Sequence, residues 1–173
     1  MKKILIIAIT ISLFLILTGF INKEDEKVNI KSKKPMTTEE IYKSMNFIEA
    51  NKAITQYEKI VDAKVYLPKK MPFKISNKFG KIDDDNRLIL AFLGEDKGDV
   101  LKLYVNPNKP FEKNSNFTLK DGTNALIKKI GSSNKSQTRV LLFQKDKFQY
   151  TIGITNSEKY DENVIIKVAE SIN

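Results

Sequence analysis

The chain reads as an α+β protein: a twisted antiparallel sheet of about six to seven strands, helices from the N-terminal half, and a C-terminal helix packed on the sheet. Three observations carry this reading. Between Phe73 and Thr155 short apolar runs alternate with turn signals such as Asp83-Asp84-Asp85-Asn86 and Asp121-Gly122, which is the spacing of antiparallel strands. After Pro35 the apolar residues instead recur at helical spacing. At the far end Val164, Ile165, Val168, Ala169 and Ile172 form one helical stripe.

Residues 1–21 set the compartment. Lys2 and Lys3 precede an uncharged apolar run, Ile4–Ile21, as the n-region and h-region of an export signal do. As a helix the run spans roughly 27 Å, slightly short of a ~30 Å hydrocarbon core, so it serves as a cleaved signal peptide or as an uncleaved N-terminal membrane anchor. Positive charge at its start places the rest of the chain outside the cytoplasm. A buried core helix fits poorly, because no charge interrupts the run and no polar face appears. Its last turn, Leu17-Thr18-Gly19-Phe20, resembles the bacterial lipobox L-T-G-C with Phe20 where the acylated cysteine would stand. Phenylalanine has no nucleophile to acylate. Either the chain descends from a lipoprotein and stays anchored through its helix, or Phe20 is a variant residue.

Residues 22–36 read as a polar tether, since Asn22–Lys34 is mixed in charge and lacks periodicity. The single extracytoplasmic domain is expected over 37–173. Thr37-Thr38-Glu39-Glu40 is a capping box that opens a helix. Ile41, Met45 and Ile48 share one side of it, whereas Ala53, Ile54, Tyr57 and Val61 fall on roughly the opposite side at ~100° per residue. That phase shift predicts two short helices with a break at Glu49–Lys52, weakest at Asn51. One segment packs on the core; the other covers a sheet edge or meets a partner, although plain intramolecular packing is its more usual use.

Pro68 and Pro72 force an extended approach to the sheet. Phe73–Ile82 reads as the first strand. Arg87–Leu93 is apolar on both faces and is therefore central, with a helix over one face. Val100–Val105 follows, and then a long loop through Asn106–Pro110. Phe117–Leu119 and Thr123–Ile130 form a hairpin around Lys120-Asp121-Gly122, with Gly131–Gln137 a flexible tip. Arg139–Gln144 and Phe148–Thr155 form the clearest hairpin. In the second of these, Phe148, Tyr150, Ile152 and Ile154 face the core, and Gln149, Thr151, Gly153 and Thr155 face water. A helix over about Asp161–Ile172 closes the chain.

These pieces, in this order, resemble an extracytoplasmic domain of unknown function. It is found in Gram-positive lipoproteins, in anti-sigma-factor-like membrane proteins and in sporulation-associated proteins. The resemblance spans about Val65–Ile172. It is carried by Tyr66-Leu67-Pro68 with Met71-Pro72-Phe73, by Asp121-Gly122 with Ala125, by Tyr150–Ile154, and by the Val164–Ile172 helix. It implies an exported α+β domain without established catalysis and assigns no functional residues. Phe20 departs from the lipoprotein members.

Composition excludes more than it assigns. The chain is 41% hydrophobic and 29% charged, ordinary for a folded body. It has no Cys, His or Trp, which removes thiolate and Ser-His-Asp catalysis, His-ligated zinc and the usual neutral-pH base. No catalytic residue, cofactor or metal site is expected. Asp83–Asn86 fails as a calcium loop, because Arg87 and Leu88 stand where a ligand and the turn glycine belong. A hydrolase built on carboxylates alone stays open, since two acids brought together by folding leave no linear pattern. Asn116-Phe117-Thr118 and Asn134-Lys135-Ser136 match a glycosylation sequon by chance, given the bacterial-type leader.

Net charge is +9, or +7 without Lys2 and Lys3, nearly all of it Lys. A basic exported protein is drawn to lipid headgroups or anionic wall polymers; drift toward Lys, Ile and Asn in an AT-rich genome explains the same charge. Lys69, Lys70, Arg87, Lys128, Lys129 and Arg139 are the candidate anionic-ligand contacts, provided folding brings them together. Nucleic acid is not an expected partner, because no helix-turn-helix or aromatic-basic platform appears. The expected function is a non-enzymatic, membrane-tethered, lipoprotein-like accessory or interaction protein of the bacterial envelope. Its alternative is a binding module for a lipid, an anionic wall polymer or another small ligand.

If Leu17–Phe20 is a lipobox remnant, Phe20→Cys expressed in a Gram-positive host should incorporate labelled fatty acid, and the unaltered chain should not. No incorporation by the variant removes the lipobox reading.

Overall fold

The computed structural model describes residues 35–107, 115–131, 138–156 and 158–173. The apolar run with Leu17, Thr18, Gly19 and Phe20, the tether up to Lys34, and the Ser132–Gln137 tip lie outside the described residues. Residues 36–173 form one compact unit. No helix among the described residues is long and apolar enough to cross a membrane.

The fold is α+β. Among the described residues three helices, α1 (Thr38–Ser44), α2 (Ala50–Val61) and α3 (Glu162–Glu170), accompany eight strands. The strands are β1 (Ile48–Glu49), β2 (Ile75–Ile82), β3 (Leu88–Gly94), β4 (Val100–Pro107), β5 (Phe117–Thr118), β6 (Asn124–Ile130), β7 (Thr138–Lys145) and β8 (Phe148–Ile154). All pair antiparallel in one sheet ordered β1-β2-β3-β4-β8-β7-β6-β5. The chain builds one half as a meander, passes from β4 to the far edge, and returns so that β8 closes on β4. The strand beyond the expected count is β1, two residues long, in the stretch that reads as helical.

Register follows the apolar pattern. Leu90, Leu103, Ile152, Leu141 and Ile127 are successive cross-strand partners on one face of β3, β4, β8, β7 and β6. Both α2, through Ala50, Ala53 and Tyr57, and α3, through Ile165, Val168 and Ala169, join this main core. On the other face of β3, Ile89 and Ala91 meet Phe79, Phe47 and Tyr42. Arg87–Leu93 is thus buried on both faces, as its lack of a polar side requires.

The helical segment breaks earlier than the phase shift suggests. Asn46, not Asn51, takes the left-handed backbone, with φ 63°. Glu49 then caps α2 by accepting from the N–H groups of Asn51 and Lys52, so the Glu49–Lys52 stretch is a helix start. The capping box on α1 forms as expected: Thr37 Oγ1 accepts from the Glu40 N–H at 3.2 Å, and Thr37 N–H donates to Glu40 Oε2 at 2.7 Å. What α1 buries differs from its apolar stripe. Tyr42 stacks on Phe79 with ring centroids 4.6 Å apart, whereas Ile41 and Met45 stay 44% and 45% exposed.

The α2 helix can approach the sheet because Gly80 lies beneath Ala50 and Ala53. A β-carbon on Gly80 would stand 2.7 Å from Ala53 Cβ and 2.9 Å from Leu90 Cδ2. The expected wet face of β8 is also corrected. Gln149 and Gly153 are buried with the core-facing residues and Thr151 is half-buried, as the cross-strand neighbours of a central strand flank its side chains on both sides.

Gly80→Ala should lower stability by about 1–3 kcal/mol through overpacking. Gly153→Ala, where a β-carbon meets Thr138 Cγ2 at 3.6 Å, should leave the thermal midpoint unchanged or raised. Equal midpoints for the two variants would contradict the close α2–sheet contact.

Candidate anion-binding groove

Residues 63–74 carry the chain from α2 to β2, and the end of α3 pins their middle. Pro68 bridges to Ile172. The Lys69 N–H donates to the Ser171 carbonyl at 3.2 Å, and the Lys70 N–H donates to Ser171 Oγ at 3.0 Å. With Pro68 and Pro72 keeping the backbone extended, both lysine side chains stand exposed beside the last turn of α3. From the other side comes the β5–β6 turn, closed by the Gly122 N–H donating to the Leu119 carbonyl at 2.9 Å, with Gly122 at φ 86°. It presents Lys120, whose Nζ lies 3.1 Å from Glu170 Oε2.

Between these parts lies an open hollow of about 450 Å³ lined by Lys69, Lys70, Lys120, Lys167, Asp121 and Glu170, with Ser171 and Asn173 at the helix end. Among the described lining residues are four lysines and two acidic side chains, of which Lys120 and Glu170 pair with each other. Hydrogen bonds from the Thr123 side chain and N–H hold the Asp121 carboxyl below the usual range, so Asp121 remains a charge within the turn. Lys167 also borders a hollow of about 630 Å³ with Phe117, Val164 and Ile166. It borders a third of about 400 Å³ with Lys70, Met71, Pro72, Val164 and Val168. The three share Lys167, and pairs of them share Lys70, Lys120 or Val164, so together they border α3 as one groove.

Of the six sequence-proposed contacts, Lys69 and Lys70 line the 450 Å³ hollow. Folding does not bring the other four to it. Arg87 clamps the β2–β3 turn: its Nε donates to Asp83 Oδ2 at 2.8 Å and its Nη2 lies 3.2 Å from Asp85 Oδ2. Arg139 is 5% exposed and serves α3, with Nε donating to the Tyr160 carbonyl at 3.2 Å and Nη1 to Glu162 Oε1 at 2.9 Å. Lys128 and Lys129 are neighbours on β6, so they point to opposite faces of the sheet. They stand where the partner strand β5 covers only Asn124 and Ala125, and charged residues there guard a sheet edge. Lys120 and Lys167 were missed. Neither belongs to a basic pair, and only the chain path puts them beside Lys69 and Lys70.

No family model, curated protein or solved structure matches the chain. Function therefore rests on the site itself.

Besides the Asp83–Asp85 turn held by Arg87, acidic side chains gather at the β3–β4 turn. Glu95, Asp96 and Asp99 border a hollow of about 260 Å³ with Lys159 and Tyr160. Asp99 is 2% exposed and accepts from Lys159 Nζ at 2.7 Å and Tyr160 Oη at 2.5 Å. Burial pushes its carboxyl up, but the Lys159 and Tyr160 hydrogen bonds and the Lys159 charge outweigh it and hold the group below its usual range. Hydrogen bonds to Asp96, Asp99 and Tyr160 raise Lys159 in turn. Glu95 is paired with Lys74 at 2.7 Å. A carboxylate hydrolase needs one acid kept protonated near neutral pH, and Asp99 is driven the opposite way. The cluster works as a clamp, tying the β3–β4 turn to the chain leading into α3. Among the described residues no group of three or more acidic side chains is arranged to hold a metal ion.

The folded pKa of Asp99 lies below its unfolded value. Its stabilisation is therefore complete above the unfolded value of about 3.9 and is lost as pH falls through the folded one. Asp99→Asn should lower the thermal midpoint at pH 7, and the gap to the unaltered chain should narrow toward pH 3. A gap that stays constant with pH would show that the Asp99 charge contributes nothing.

Proposed function

We propose that this chain is a non-enzymatic, membrane-tethered, extracytoplasmic module of the bacterial envelope that holds an anionic ligand in the groove along α3. One observation carries the reading: Lys69, Lys70, Lys120 and Lys167 converge from three separate parts of the chain on one open hollow. Charge that served solubility alone would need no such convergence. The leader over 1–21 and the tether over 22–36 place the domain beside the membrane outer face and the wall, where phosphate-bearing polymers and headgroups supply the complementary charge. The resemblance to domains of Gram-positive lipoproteins points to the same compartment. The absence of His and Cys and the lowered Asp99 carboxyl support a binding role over a catalytic one.

A second reading, an accessory subunit that docks on an envelope protein, is favoured by α1. Ile41 on α1 is 44% exposed, and Met36 and Met45 flanking the helix are 54% and 45% exposed, while Tyr42 is the helix residue that packs on Phe79 and Phe47. Plain intramolecular packing does not use this side.

One experiment separates the two. The full chain should bind poly(glycerol phosphate) at low salt, and binding should weaken as the screening length falls from about 10 Å at 0.1 M salt to about 3 Å at 1 M. Combined Lys69→Gln, Lys70→Gln and Lys167→Gln should reduce it by about tenfold or more, with the fold unchanged by circular dichroism. An unaffected triple variant overturns the groove. Capture of one envelope protein by a photocrosslinker at Ile41, at near-equal amounts, then favours the second reading.

A further inference from the structure

We infer that the ligand of this groove is an anionic lipid, held by its phosphate and by part of an acyl chain. The inference rests on the proposed anion-binding role and adds the ligand class. Lys70 and Lys167 both line two neighbouring hollows of different character. On one side is the space with Lys69 and Lys120. On the other, the described residues that join Lys70 and Lys167 are Met71, Pro72, Val164 and Val168. The two ammonium groups therefore stand on the boundary between a charged hollow and an apolar one.

A hydrophilic polymer would use the charged side and leave the apolar side wet. An amphiphile uses both, because a phosphate between the ammonium groups gains charge-assisted hydrogen bonds while a few methylenes on Met71 and Val164 leave water. The lysine stems also offer apolar length beneath their charged heads. Val164 and Met71 pack against the core at the edge of the helix and, like Pro72 beside them, keep part of their apolar surface open to the hollow. Charge complementarity selects an anionic headgroup over a zwitterionic one, and the membrane beside the tether is its source.

The test is native mass spectrometry of the full chain released from nonionic detergent, with phosphatidylglycerol, phosphatidylcholine of the same chains, and glycerol phosphate added in turn. Phosphatidylglycerol should be retained about tenfold more than either comparison compound. Lys70→Gln with Lys167→Gln should abolish that preference. Met71→Gln alone, and Met71→Gln with Val164→Gln, should reduce phosphatidylglycerol retention several-fold; both side chains also pack against the core, so the same variants should still retain glycerol phosphate as the unaltered chain does, which a misfolded variant would not. If glycerol phosphate is retained as well as phosphatidylglycerol, or if the Met71 and Val164 variants bind normally, the lipid inference falls while the anion-binding function stands. If no anionic compound depends on Lys70 and Lys167, both fall.

Discussion

Leu90, Leu103, Ile152, Leu141 and Ile127 lie at successive cross-strand positions of five strands, and their alignment constrains everything built on them. Side chains alternate along a strand, so a one-residue slip in any member would turn its apolar set to the wrong face. Each Leu or Ile withdrawn from water contributes about 1.5–3 kcal/mol, so a slip that exposes several is excluded on magnitude alone. The same row sets where β8 can go. Its Ile152 must meet Leu103 on one side and Leu141 on the other, which closes the second meander onto the first.

Two helices rest on that face and divide it. Near Leu90, Gly80 admits Ala50 and Ala53 of α2. The Tyr57 hydroxyl donates to the Val105 carbonyl at 3.0 Å and fixes the helix along its length. Over β7 and β8 lies α3, through Ile165, Val168 and Ala169. Because α3 spends these residues on the core, Lys167 faces out. The Tyr150 hydroxyl accepts from the Tyr66 N–H at 3.1 Å, which guides the proline-containing segment to the end of α3 and so delivers Lys69 and Lys70. The basic groove follows from how the core is closed.

Three cationic side chains elsewhere are occupied with the fold. Arg87 holds a hairpin turn, Arg139 holds the approach to α3, and Lys159 answers the buried Asp99. The requirement that a buried charge be paired accounts for Arg139 and Lys159. Lys70 and Lys167 are different: their backbones are fixed by the helix and its end, while their ammonium groups face an open hollow. Net charge by itself does not distinguish these uses; position does.

Much of this was legible in the residues. The α+β class, the central placement of Arg87–Leu93, the Thr37 capping box and the C-terminal helix follow from periodicity and turn chemistry, because these act over a few residues. Pairing order and register required the whole chain, since β4 beside β8 is a contact between distant segments that no local pattern encodes. The helix break moved to Asn46 because Glu49 could cap α2, a choice settled by packing on Gly80. Lys69 and Lys70 were visible as a pair, whereas Lys120 and Lys167 became their neighbours only through the path of the chain. The sequence by itself therefore determined the local elements and excluded histidine and thiolate chemistry. The tertiary structure alone decided which charges are spent on the fold and which converge on a groove, because convergence is set by long-range packing of the apolar row and not by spacing along the chain.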